Sequence, residues 1–137
     1  MRLPLLLPLL TLGACASPLP PADPQQAWVE LYANAGYTLM AHRQDDQRTR
    51  DGRYFQVTPG AHELEVRFQF EVTRGGSDFS SEPIQMTCHL RFRYDGFAAG
   101  QRYRIEARPM QFKARGWLYG EGRQVLARAD VLRCRSF

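Results

Sequence analysis

Glu63-Leu64-Glu65-Val66-Arg67-Phe68-Gln69-Phe70-Glu71-Val72 alternates polar and apolar residues at every step. Successive side chains of a strand point to opposite faces. The pattern therefore sets Leu64, Val66, Phe68, Phe70 and Val72 on a buried face and Glu63, Glu65, Arg67, Gln69 and Glu71 on a wet one. A helix would scatter the same apolar residues around its circumference. Ile84, Met86, Cys88, Leu90, Phe92 and Tyr94 repeat the alternation against Gln85, Thr87, His89, Arg91 and Arg93. The polar stretch Arg74–Pro83 separates the two runs, so they read as a hairpin with an extended connection.

Working outward, shorter strands are expected at Trp28–Tyr32, Tyr37–His42, Tyr54–Thr58, Arg102–Ala107, Gln111–Tyr119 and Gln124–Cys134. Gly116 reads as a bulge, and Asp95–Gly100 has room for no more than a helical turn. No segment has a good amphipathic helical period. The expected fold is all-β, an antiparallel sandwich or small barrel of about 7–8 strands.

The 137-residue chain has 44% hydrophobic residues, a globular composition rather than a disordered one. Basic residues outnumber acidic ones by 18 to 14, and they are spread along the chain rather than blocked. That mild excess suits anionic envelope surfaces better than nucleic acid for an exported protein.

Export is the reading of the N-terminus. Met1-Arg2 supplies a short positive region, and Leu3–Leu12 is apolar apart from its prolines and Thr11. Ten residues rise only about 15 Å as a helix, half the hydrocarbon thickness of a bilayer. The segment reads as a signal h-region. Leu12-Gly13-Ala14-Cys15 follows directly and resembles the bacterial lipobox. The resemblance implies removal of residues 1–14 and a diacylglyceryl group on the Cys15 thiol. Ala16 after it, in place of Asp, implies the outer membrane. Ala14-Cys15-Ala16 also fits an ordinary signal-peptidase site, which would release a soluble periplasmic protein from Ser17. The lipobox is the leading reading, because Cys is an uncommon choice at that position. Ser17–Pro24 holds four prolines and reads as an extended tether, so residues 15–26 form the anchor and 27–137 the β-domain.

Thr58-Pro59-Gly60-Ala61-His62-Glu63-Leu64-Glu65-Val66 and Ala99-Gly100-Gln101-Arg102-Tyr103-Arg104-Ile105 resemble two elements of small bacterial lipoprotein β-domains, including PEGA-like modules. The resemblance covers roughly residues 53 to 108. It implies a sandwich in which a Pro-Gly turn opens a strand and His62 has a structural part in that turn. It implies no chemistry.

Cys88 and Cys134 are expected to pair in an oxidising compartment, leaving Cys15 as the anchor. Cofactors other than that covalent lipid are not expected. His89 is adjacent to Cys88 but on the opposite, wet face, so no nucleophile–base pair is expected. His42 with Asp45 and Asp46 reads as a solvated loop rather than a cation site, and no metal centre is expected. The run 42–53 is polar throughout. Arg91, Arg93, Arg102, Arg104, Arg115 and Trp117 would form a basic partner-binding face if their strands were neighbours. The sequence carries no GxSxG, HExxH or phosphate-loop motif. The functional expectation is a non-catalytic outer-membrane lipoprotein, a periplasm-facing binding or assembly module. Its partners would be the membrane, another envelope protein, peptidoglycan or lipopolysaccharide. The alternatives are a lipid- or small-ligand-binding β-domain and an unrecognised hydrolase.

Overall fold

The computed structural model describes residues 17–73 and 82–136. The leader, Cys15, Ala16 and residues 74–81 of the connection lie outside them. Ten strands run in chain order: β1 Ala27–Tyr32, β2 Thr38–Gln44, β3 Gln47–Arg48, β4 Tyr54–Val57, β5 Gly60–Val72, β6 Ile84–Phe97, β7 Arg102–Met110, β8 Lys113–Tyr119, β9 Val125–Arg128 and β10 Asp130–Ser136. They form two five-stranded sheets, β4-β1-β7-β8-β9 and β10-β6-β5-β2-β3. The all-β expectation holds.

The quoted run is β5, and the second run is β6. They pair antiparallel from His62↔Tyr94 to Val72↔Ile84. Their inward residues meet those of the other sheet. Leu64, Val66, Phe68, Leu90 and Ile105 are fully buried, with Phe55, Phe70 and Phe92 at 1% exposure. Each such side chain contributes about 1.5–3 kcal/mol of burial, so this aromatic layer is the main adhesive between the sheets.

Three features differ from the sequence reading. One pairing, β1 with β7, is parallel, Trp28↔Arg102 through Tyr32↔Glu106. The expected final strand is two strands in different sheets, because the chain crosses over at Ala129, whose amide donates to the Gly116 carbonyl at 2.9 Å. Gly116 is also not a bulge: its register with Ala107 is regular. A Cβ placed there would lie 2.7 Å from Phe92 Cζ and 3.1 Å from Ala129 Cβ. The missing side chain lets the Phe92 ring and the crossover close down on β8.

The proline segment is not a free spacer over its described part. Arg53 Nη1 donates to the Ser17 carbonyl at 2.7 Å, and the Asp23 amide donates to Gln56 Oε1 at 2.8 Å. Both partners lie on or beside β4, the edge of the first sheet. Arg53→Ala is expected to speed proteolytic cleavage near Ser17 while leaving the domain's melting temperature unchanged. An unchanged cleavage rate would show that the contact does not hold the segment.

Candidate binding surfaces

The arginine group splits between the two sheets. Arg91 and Arg93 lie on β6. Arg102 and Arg104 lie on β7, next to Arg115 and Trp117 on β8. A sandwich turns the outer faces of its sheets away from each other, so the single basic face expected from sequence does not form. Arg93 pairs with Glu63 at 2.7 Å and Arg91 with Asp130 at 3.7 Å.

The first sheet instead presents arginines on aromatic rings. The Arg102 guanidinium lies 5.9 Å from the Trp28 ring centre, Arg104 5.1 Å from Tyr32, and Arg108 5.8 Å from Trp117. Trp28 stacks on Tyr54 at 4.3 Å. Parallel pairing of β1 and β7 produces the first two rungs, since it sets Trp28, Glu30 and Tyr32 beside Arg102, Arg104 and Glu106 in register, and the Arg108–Trp117 rung joins β7 to β8 diagonally. Arg104 also bonds Glu30 at 2.7 Å and approaches Glu106 at 3.5 Å. Its hydrogen bond to Glu30 raises its pKa further above the ordinary arginine value. Beside the ladder, Arg102, Arg104, Arg123, Glu30 and Glu121 line an open groove of about 380 Å³. The surface has fixed cationic planes, flat aromatic rings and half-exposed Tyr32, a combination suited to docking.

The second sheet carries a different group. β2 has a register shift between Ala41 and Arg43. Ala41 is buried in the core, yet both His42 and Arg43 reach the outer face. Arg43 Nε lies 3.5 Å from Glu65, and the His42 ring lies 4.9 Å from that of His89. A bulge does this by placing two residues opposite one partner residue. Glu65 and His89 are diagonal neighbours on β5 and β6, since Arg67 pairs with His89 and Glu65 with Arg91. One ligand atom from each of His42, Glu65 and His89 falls within 4.8 Å of the others.

Glu65 is only 8% exposed. His89 Nδ1, Arg43 Nε and Arg133 Nη2 approach it at 3.6, 3.5 and 3.8 Å. All are longer than the 2.7–2.9 Å typical of a charge-assisted hydrogen bond. His89 Nδ1 is buried with no hydrogen-bond partner. Burial pushes both imidazoles below their ordinary pKa. Arg43, Arg48 and Arg67 around His42, and Arg133 and Arg67 around His89, push the same way against the opposing Glu65 charge.

His89 lies on the outer face, as the alternation predicts, but its side chain is mostly covered rather than solvated. His42 stands on strand β2 rather than in a solvated loop with Asp45 and Asp46. Asp45 instead accepts from His62 Nδ1 at 2.6 Å and from the Glu63 amide at 2.9 Å. Burial raises the Asp45 carboxyl, but these two hydrogen bonds outweigh it and hold the group below the usual carboxylate range. His62 Nε2 lies 2.6 Å from the Thr58 carbonyl, so the ring ties the Pro-Gly turn to the β2–β3 turn. Left-handed backbone at Asp45 and Asp46 makes that second turn tight.

Cys88 and Cys134 are opposite each other on β6 and β10, with sulfurs 2.08 Å apart and Cα atoms 4.1 Å apart. The bridge holds Arg133 directly opposite His89. Family models, curated proteins and solved structures were compared with the chain, and none matches.

Proposed function

We propose that this chain is a non-catalytic lipoprotein of the bacterial outer membrane, anchored through Cys15, whose β-domain docks an anionic envelope component. The observation that carries the binding role is the ladder of Arg102, Arg104 and Arg108 over Trp28, Tyr32 and Trp117. Guanidinium planes held on rings keep their donors oriented toward phosphate or carboxylate groups, and they lose less freedom on binding than free side chains do. The envelope reading rests on the lipobox directly after an apolar run. Peptidoglycan, lipopolysaccharide and another envelope protein all offer the required anionic groups.

The interior between the sheets is occupied by Phe55, Phe68, Phe70 and Phe92. That filling favours a surface binder over a lipid carrier, because a carrier needs its core space for the ligand.

Two measurements test the proposal. Cys15→Ser is expected to release the chain from membranes, and mass spectrometry of the mature N-terminus should find an acylated cysteine. An unmodified chain beginning at Ser17 would overturn the anchor. Separately, Arg102→Ala/Arg108→Ala, which leaves the Arg104 pairing with Glu30 and Glu106 intact, is expected to cut retention on isolated envelope material at least tenfold without lowering the melting temperature. Retention equal to that of the unaltered chain would overturn the docking face.

A further inference from the structure

We infer that His42, Glu65 and His89 form a binding site for one zinc-class divalent cation on the outer face of the second sheet. The inference does not depend on the lipid anchor or on the first-sheet docking face.

Two imidazole nitrogens and one carboxylate are the ligands of many zinc sites that keep a fourth position open. Calcium and magnesium prefer all-oxygen shells, so the two histidines select a transition metal. Burial lowers the pKa of both rings, which favours the neutral form that a metal requires.

Metal–ligand bonds of about 2.0–2.1 Å in a tetrahedron separate ligand atoms by about 3.3 Å. His89 Nδ1 and Glu65 Oε1 are already 3.6 Å apart. All three donors lie within 4.8 Å, so closing the site needs side-chain rotation rather than a backbone change. Each donor stands on a different strand of one hydrogen-bonded sheet, and β5 and β6 pair over most of their length on a packed core.

The bonding deficit is the independent observation. His89 Nδ1 is buried and unpartnered, which is costly unless something fills it. Glu65 is buried amid donors that all stop at 3.5–3.8 Å. A cation between Nδ1 and Oε1 would satisfy both groups at once.

The surrounding arginines shape the site rather than close it. Arg43, Arg91 and Arg133 line an open groove of about 310 Å³ beside Glu65. Their charge opposes a bare dication. It favours a metal whose fourth ligand is an anion or hydroxide, which they would neutralise.

The test titrates zinc(II) into the full chain carrying Cys15→Ser, which removes the one cysteine outside the disulfide. Competition against a chromophoric chelator is expected to show one bound ion. His89→Ala and Glu65→Gln should each weaken binding at least 100-fold. His62→Ala, which alters the neighbouring Asp45 pair, should leave it unchanged. Absence of stoichiometric binding, or equal loss in the His62 variant, would overturn the site. If His89→Ala does not fold, cobalt(II) bound to the otherwise unaltered chain decides. Intense tetrahedral visible bands support the site, and a weak octahedral spectrum rejects it.

Discussion

Cys88→Ser/Cys134→Ser is expected to lower the domain's stability by about 4 kcal/mol, the chain-entropy value for a bridge of this span. For a domain of this size, that loss corresponds to a fall on the order of 15 °C in melting temperature. The loss should be concentrated at β10. That strand is the edge of its sheet and pairs only with β6. Cys134 alone is partly buried; the other six residues are exposed, including Val131 at 43% and Leu132 at 37%. Little apolar burial therefore holds β10 in place, and the covalent bond replaces it. Hydrogen exchange should show the β10 amides losing protection while β5 keeps it. The same variant should free Arg133 from its place beside His89. A melting temperature within a few degrees of the unaltered protein would mean that backbone pairing alone suffices.

Gly116→Val is the second large effect, with an expected loss of about 3 kcal/mol, at the upper end of overpacking costs. The first added carbon already lies 2.7 Å from Phe92 Cζ, 3.1 Å from Ala129 Cβ and 3.3 Å from Leu90 Cδ1. These atoms belong to the facing sheet and the crossover. Relief requires Phe92 to leave its rotamer or the sheets to part. Phe92→Leu alone should also destabilise, by about 1 kcal/mol, through lost packing. Combined with Gly116→Val it should recover part of the loss, because the shorter side chain vacates the contact. Denaturant unfolding of the four proteins measures the coupling. Strict additivity would show that Phe92 is not what Gly116 accommodates.

Legibility from sequence varied by residue. The faces of β5 and β6 could be read directly, because alternation is a property of each strand alone. The structural part that the resemblance implies for His62 takes the form of contacts with Thr58 and Asp45. Glu65 was assigned to a wet face. It does point outward, but Arg43, His89 and Arg133 cover it. Those neighbours come from three other strands, and no local pattern names them. A trial hairpin register would have set Glu65 diagonal to His89. Nothing local would have added His42, since its place beside Glu65 depends on the pairing of β2 with β5.

The run quoted first determined by itself that this is a β-protein, which of its side chains point inward, and that it folds back on a second long strand. The period-two geometry of an extended chain requires this wherever the strand finally sits. Only the tertiary structure decided which strands became neighbours. It divided the arginines between two outer faces, brought β1 and β8 to either side of β7 to build the cation–aromatic ladder, paired β2 with β5 so that His42 lies beside His89, and used the β2 bulge to add Arg43 to the same face. Those outcomes depend on contacts between residues far apart in the chain, where sheet packing and register govern and local alternation has no influence.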